Sequence, residues 1–446
     1  SWIMDGNSGI FHNQPNGPVG DDNGEILAEP LASGSKLVIA PENDLQRINI
    51  QSNTGELELR DGRTNHNNGW YVVRELVPGG VTKDVIQWTI TPNVVEGWIY
   101  KPIIQVSQLG YHPEQIKKAI IEMDPLDENS EKLYLYKLSE TGKELVQSYE
   151  PQEWGTFLRY KYLTADFTDI KDPGMYVFES GDSKSHAFRI DQNVYSRHAW
   201  QPVLEYYLPV MMCHMRINEK YRVWHDYCHL DDALMAPTDL NHFDGYKQGP
   251  STLTKYKPYD AVPGINKGGW HDAGDYDLRV ESQIGTVWKL ALMIEEFGLD
   301  YDATMINPEE RLVEIHVPDG KSDAIQQIEH GLDAVLGGYR SLGRLYRGII
   351  CPTLRQYVML GDAASMTDNL VYNPDLEDGE KTGTESSLMD DRWVFTEKNP
   401  RRELQVAAGL AAASRVLAPS NPGVAAEALE TAIVLYEQAE LSESTI

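Results

Sequence analysis

Residues 268–277 read Gly268-Gly-Trp-His-Asp-Ala-Gly-Asp-Tyr-Asp277, the most sharply defined stretch in a chain of 446 residues. Glycines flank two carboxylates three positions apart, with the small pair Ala273-Gly274 between them. In a tight turn that spacing brings Asp272 and Asp275 onto one small volume. Two convergent carboxylates can hold a water and take its proton, which is general-base work. A helix cap, or a turn closed by an Asp side chain, would use the same spacing, and spacing alone does not separate these readings.

Around this turn the pattern is helical. Segments 196–215, 282–297, 323–336, 402–417 and 423–440 carry apolar residues at three- and four-residue spacing. Asn421-Pro-Gly423 breaks the last two and predicts a helical hairpin. The intervals 216–281 and 339–401 show no periodicity but hold His, Trp, Tyr and Asp, as functional loops do. Further upstream the pattern changes to strands. Between 101 and 193, runs such as Lys118-Ala-Ile-Ile-Glu-Met, Lys132-Leu-Tyr-Leu-Tyr and Gly174-Met-Tyr-Val-Phe alternate or cluster apolar residues, predicting a small antiparallel sandwich. Residues 1–100 are rich in Gly, Asn and Asp, with short runs at Lys36-Leu-Val-Ile-Ala and Val85-Ile-Gln-Trp-Thr-Ile and a turn signal at Asn65-His-Asn-Asn-Gly69. The expected organisation is a β-rich segment of unread role (1–100), a β-sandwich (101–193) and an all-α region (194–446).

Bulk composition is consistent with this division. A chain of 446 residues is too long for one ordinary core. Hydrophobic residues at 41% and charged residues at 24% mark a globular protein. With 39 Lys plus Arg against 68 Asp plus Glu, the formal net charge of -29 argues against nucleic acid or an anionic membrane as partner. It suits a neutral substrate such as a polysaccharide. The 24 Tyr and 10 Trp fit clefts in which sugar faces stack on rings, although most of them are expected in cores. No run of about 20 apolar residues exists, so no membrane-spanning helix is expected. The chain opens at Ser1 without a charged-then-apolar leader, which leaves a cytosolic protein or a removed signal peptide.

Three cysteines are too few and too odd for a disulfide framework, which favours a metal site or reduced thiols. Cys213, Cys228, His229 and His271 are two thiols and two imidazoles, a set that completes a closed tetrahedral zinc site. Adjacency of Cys228 and His229 does not itself specify a metal, and buried thiols beside ordinary histidines are the alternative. The acidic loop 375–380 and the pair Asp390-Asp391 could supply oxygen ligands to calcium, but in a chain this acidic they read first as a solvated face. Trp270 and Trp393 are candidate sugar platforms or, equally, buried loop anchors, and Tyr276 and Arg279 are weaker candidates.

Gly-Gly-Trp-His-Asp-Ala-Gly-Asp resembles the base motif of glycoside hydrolase family 9, a cellulase family of (α/α)6 barrels. Gln105-Val-Ser-Gln-Leu-Gly-Tyr-His-Pro113 and Ser185-His-Ala-Phe-Arg-Ile190 resemble the first and closing strands of the immunoglobulin-like domain that precedes many such barrels. The alanine-rich run from Arg402 to Leu417 resembles a barrel helix. The resemblance implies an inverting, endo-acting hydrolase of β-1,4-glucan, cellulose or a related glucan, with Asp275 as base and Asp272 as its partner on the water. Base and acid would stand about 6.5–9.5 Å apart. It also implies structural zinc on Cys213, Cys228, His229 and His271, calcium at an unplaced site, and a secreted, periplasmic or cell-surface location. Within the same fold an exo-acting cellodextrinase or β-glucosaminidase is the alternative, and outside catalysis a carbohydrate-binding protein. The family's acid, a late Glu after a His/Arg-rich loop, is not found, and about five helices stand where about twelve are expected. Residues 194–446 are therefore expected to be the N-terminal half of the barrel, with the remainder of the catalytic domain as its partner.

Overall fold

The computed structural model describes residues 1–12, 19–22, 25–64, 70–128, 131–196, 198–242, 245–272, 276–352, 364 and 367–443. The turn signal at 65–69 and the candidate base Asp275 lie outside the described residues. The chain divides into two compact units, one of residues 1–38, 50–89 and 203–446, the other of 39–49 and 90–202.

The second unit contains the expected sandwich. One sheet orders Ile103–Gln105, Lys118–Met123, Tyr160–Asp166 and Gln152–Phe157. The other orders Gly142–Tyr149, Leu133–Ser139, Gly174–Ser180 and Ser183–Lys184, and Phe188–Ile190 pairs with Gly174–Ser180. Alternation sets the faces: in Lys118–Met123, Ala119, Ile121 and Met123 are buried, whereas Lys118 and Ile120 are exposed. The core gathers Ile104, Leu133, Leu135, Phe167, Phe178 and Phe188, with the rings of Phe167, Phe178 and Phe188 5.1–5.7 Å apart.

Within the first unit, Pro30–Gly34, Leu57–Asp61 and Tyr71–Glu75 form a three-stranded antiparallel sheet. From residue 203 onward the described residues include four long helices, Val280–Phe297, Asp323–Leu342, Pro400–Leu417 and Pro422–Glu443. Each starts and stops where chemistry dictates. Asn399 caps Pro400–Leu417 by accepting from Arg402 N–H at 3.1 Å. Gly298 and Gly343 end their helices at φ 60° and 66°, the left-handed conformation that glycine adopts without a Cβ clash. Small residues let the helices close on one another: a Cβ on Gly409 would lie 2.4 Å from Ile284, so Pro400–Leu417 and Val280–Phe297 cross almost at backbone contact.

Two expectations are corrected. The helix expected over 196–215 is reduced to a π-helical turn, Val203–Tyr207, and one α-turn, Leu208–Val210. Pro202 and Pro209 explain this: Pro209 has no N–H for the carbonyl four residues back, and its ring crowds the turn before it. Cys213 therefore lies beyond the helix. The intervals read as loops also hold short strands. Arg216–Glu219 pairs with Arg222–His225 and Leu312–Ile315, and Trp393–Thr396 pairs with Tyr346–Ile350 and, in parallel, Leu234–Met235. Strands of two to five residues leave no periodicity to read.

Candidate active site and metal centre

The turn from Gly268 to Asp272 is fixed from two sides. Gly268 and Gly269 have φ of 73° and 83°. A Cβ on Gly268 would stand 2.4 Å from His330 O and 2.6 Å from Ala334 N, so the turn lies directly on the backbone of helix Asp323–Leu342. Gly269 N–H donates to His330 O at 3.0 Å, and the His330 ring returns a bond to Gly269 O at 2.6 Å. From the other side, Cys213 N–H donates to Gly269 O and His271 N–H to Met211 O, at 2.9 and 2.8 Å. Gln283 then clamps both backbone groups of Trp270, at 2.8 and 2.9 Å.

Asp272 emerges from this frame with 30% of its side chain exposed. Ser282 Oγ donates to its Oδ2 at 3.3 Å, and Arg279 Nε lies 3.7 Å from the same oxygen. Burial, then the charge of Asp277, raises its pKa, against the opposing pull of Arg279 and Ser282. Asp277, which sequence reading passed over, is fully buried. Its Oδ2 accepts from Arg279 Nε at 2.7 Å and from Tyr246 Oη at 3.1 Å. It thereby holds Arg279 against Asp272, a role its position five residues on from Asp272 does not announce.

Cys213, Cys228, His229 and His271 converge: one ligand atom from each lies within 4.8 Å of the others, and all four residues are buried. Cys213 Sγ stands 3.9 Å from Cys228 Sγ and 3.7 Å from His229 Nδ1, and Cys228 Sγ stands 3.6 Å from His271 Nε2. Zinc bond lengths of about 2.3 Å to sulfur and 2.0–2.1 Å to nitrogen put tetrahedral S–S edges near 3.8 Å and S–N edges near 3.5 Å. The cluster fits a closed four-coordinate ion. Burial, and the charge of Arg392, hold the His229 pKa down at about 4, keeping its imidazole neutral as a ligand must be. Burial resists ionisation of Cys213, but the Cys228 thiol and Arg392 outweigh it and hold Cys213 well below the usual thiol range. His229 itself sits at φ 53°, a conformation that costs a non-glycine residue about 1–2 kcal/mol.

Arg392 joins the metal cluster to the turn. Fully buried, it donates through Nε to both oxygens of Asp232 at 2.9 and 3.1 Å and through Nη2 to Cys213 Sγ at 3.1 Å. Nη1 donates to the carbonyl of Tyr276. His214 completes the network, 2.9 Å from Asp232 Oδ2 and 3.0 Å from Gly268 O. Tyr276 packs its ring 5.2 Å from His271 and 5.9 Å from His229. Tyr276 and Arg279, considered as sugar contacts, are placed as supports of the cluster and of Asp272.

Of the two readings open for the tryptophans, their burial matches the loop anchor. Trp270 is 5% exposed, its indole N–H bonded to Gln327 at 2.7 Å. Trp393 is 8% exposed and packs with Leu234, Tyr246 and Phe395. Both are buried anchors and present no open face. The solvated-face reading of Asp390-Asp391 is corrected: both are buried, and with Asp231 they bring carboxylate oxygens within 4.8 Å of one another. The acidic loop 375–380 does stand largely exposed.

Comparison with known proteins supplies the family. The profile of glycosyl hydrolase family 9 matches residues 201–446, and that of the cellulase N-terminal ig-like domain matches residues 100–185. A xyloglucan-specific endo-beta-1,4-glucanase of Bacteroides ovatus is 25% identical over 246 residues, which cover 52% of this chain and 36% of that protein. The chain thus spans about a third of the length of that relative. In fold it resembles a metagenome-derived family 9 endoglucanase, with a TM-score of 0.52 at 22% identity over 77% of this chain and 55% of the other. It also resembles a Zn-binding triple mutant of family 9 endoglucanase J30, with a TM-score of 0.51 at 21% identity over 75% and 53% of the two chains. With more than half of its length matched by the family profile and an ig-like domain ahead of that match, the chain belongs to glycosyl hydrolase family 9.

Proposed function

We propose that the complete enzyme hydrolyses a β-1,4-glucan, cellulose or a related glucan such as xyloglucan, internally and with inversion. Asp275 is assigned as the base and Asp272 as its partner in holding the attacking water. The observation that supports this most is the setting of Asp272. It is a partly buried carboxylate with a raised pKa, on a turn held by helix Asp323–Leu342 on one side and by segment 211–213 on the other. A positioned carboxylate of that kind accepts a proton more readily than an exposed one. In the proposed reaction, water attacks the anomeric carbon from the face opposite the leaving oxygen and gives its proton to Asp275. A carboxylic acid on the other face protonates the departing sugar. That acid is assigned to no residue of this chain. It is proposed to come from the remainder of the catalytic domain, whose (α/α)6 barrel the four long helices would begin.

Zinc is the ion proposed for Cys213, Cys228, His229 and His271. Its contribution would be structural, because four protein ligands leave no position for a catalytic water. The residues themselves tie segment 211–213 and segment 228–229 to the residue preceding Asp272. A polysaccharide substrate places the protein outside the cytoplasm, and secretion to the periplasm, cell surface or medium is proposed with it.

Asp275→Ala in the complete enzyme tests the assignment on a soluble β-1,4-glucan. Loss of the base is expected to lower turnover about 10²–10⁴-fold with substrate binding kept. A variant retaining a tenth of parental turnover would overturn it.

A further inference from the structure

Trp270 and Trp393 are buried, but other rings stand open on the β-sandwich. In the sheet of Ile103–Gln105, Lys118–Met123, Tyr160–Asp166 and Gln152–Phe157, alternation buries Ile104, Ile121 and Leu163 and turns Gln105, Ile120, Tyr162 and Thr164 to the opposite face. On that face Ile120, Phe157 and Trp154 are 38%, 59% and 64% exposed. Trp154 is there because the pairing of Gln152–Phe157 with Tyr160–Asp166 slips between Glu153 and Gly155. A bulge of this kind re-aims a side chain. Trp154 meets Tyr162 edge-to-face, with ring centroids 6.1 Å apart and planes at 90°. Perpendicular rings make a floor and a wall, and with Gln105, Ile120, Phe157 and Thr164 they line an open groove that carries no charged side chain. Beside it the Glu122 carboxylate accepts from Tyr100 Oη at 2.8 Å, Tyr162 Oη at 3.0 Å and Gln105 Nε2 at 3.3 Å. These bonds use the tyrosine protons and leave both hydroxyl oxygens as acceptors, in rings that lose little freedom on binding.

We propose that this face of the β-sandwich binds a β-1,4-glucan chain, at a site separate from the catalytic turn. The choice of occupant rests on the glucan reading above. A β-1,4-glucan presents apolar ring faces rimmed by hydroxyls, which match the open rings of Trp154 and Phe157 and the polar groups of Tyr162, Gln105 and Thr164. Exposed apolar surface gathered in one place marks an interaction site, and charge selects the partner. A second copy of the chain would bring together two net charges of -29, whereas glucan is as neutral as the groove. The groove draws residues from all four strands, a span of about 14 Å at about 4.8 Å per strand step, which holds more than one sugar ring. Tethering of this kind raises the effective concentration of a polymer for a catalytic site on the same chain.

The test uses the whole chain with hydroxyethyl cellulose, a soluble β-1,4-glucan, and reads retardation in native gels. Trp154 is exposed, so Trp154→Ala is expected to fold, to melt within about 2 °C of the parent and to bind at least about tenfold more weakly. Leu145→Ser, exposed on the other sheet of the same sandwich, is expected to bind as the parent does. In the complete enzyme, Trp154→Ala is expected to cut a short soluble oligosaccharide at the parental rate and insoluble cellulose more slowly. No binding by the parent, or equal binding by parent and Trp154→Ala, would overturn the proposal. So would a parent that light scattering shows to be a dimer and that Trp154→Ala dissociates, because the face would then belong to a second copy. Binding lost in Trp154→Ala, in a complete enzyme that hydrolyses no glucan, would uphold this site and remove the catalytic reading alone.

Discussion

Removing the Arg392 guanidinium should be among the most damaging single changes in the catalytic region. Arg392→Met keeps much of the side-chain volume but leaves Asp232, 5% exposed, with its charge and without its main partner. Breaking a buried ion pair by deleting one member typically costs about 3–5 kcal/mol, because the remaining charge has neither water nor counter-ion. His214 still reaches Asp232 Oδ2 at 2.9 Å, and the charges of Cys213 and Asp232 carry its pKa up to about 9 against the effect of burial, so it can stand in part for the arginine. The loss is therefore expected near the lower end, about 3 kcal/mol, which lowers the folding equilibrium constant roughly 150-fold. With a urea slope of about 2–3 kcal/mol/M, the unfolding midpoint falls by about 1 M or slightly more. The assay is urea unfolding of the metal-loaded chain followed by tryptophan fluorescence. Adding Asp232→Asn to Arg392→Met removes the stranded charge and is expected to recover stability, giving a coupling of about 2–3 kcal/mol in the double-mutant cycle. A single variant within about 0.5 kcal/mol of the parent, or a second substitution whose cost simply adds, would refute the reasoning.

Cys228→Ser is expected to reduce bound zinc from about one per chain to none by elemental analysis and to lower the melting temperature, since an ion bound only by the folded state stabilises it. Unchanged zinc content would remove Cys228 from the ligand set. Gly268→Ala places a Cβ 2.4 Å from His330 O at φ 73°, so the turn must lift from helix Asp323–Leu342. Overpacking of this kind costs about 1–3 kcal/mol, and in the complete enzyme turnover should fall further than the affinity for substrate. An alanine variant matching the parent in both stability and turnover would show that the close approach is not needed.

How much of this was legible in the sequence depended on how local each signal is. The turn could be read because glycines at 268 and 269 advertise a backbone that other residues avoid, and the structure gives both a positive φ. The four metal-cluster residues stood out because thiols are rare in the chain, and their convergence follows. The sandwich was readable from alternation, as in Lys118–Met123. What escaped was made by long-range pairing. Asp231, Asp390 and Asp391 each look like solvated acids in their own segment, and it is the fold that buries them and brings them together. The fold likewise creates the Arg392–Asp232 contact across 160 positions. Over 196–215 the apolar spacing predicts more helix than forms, because it persists through Pro202 and Pro209, which periodicity ignores and backbone chemistry does not. Trp270 and Trp393 show the converse limit, since nothing in a tryptophan's neighbours tells a platform from an anchor.

The most direct test of the proposed function is the configuration of the first product. Proton NMR recorded in the opening minutes of hydrolysis of a β-1,4-linked oligosaccharide by the complete enzyme distinguishes the new anomer before mutarotation mixes the two. A water activated by Asp275 and Asp272, with no enzyme nucleophile on the sugar, gives the α-anomer first. A first-formed β-anomer would mean retention through a covalent intermediate and would contradict the roles assigned to both carboxylates.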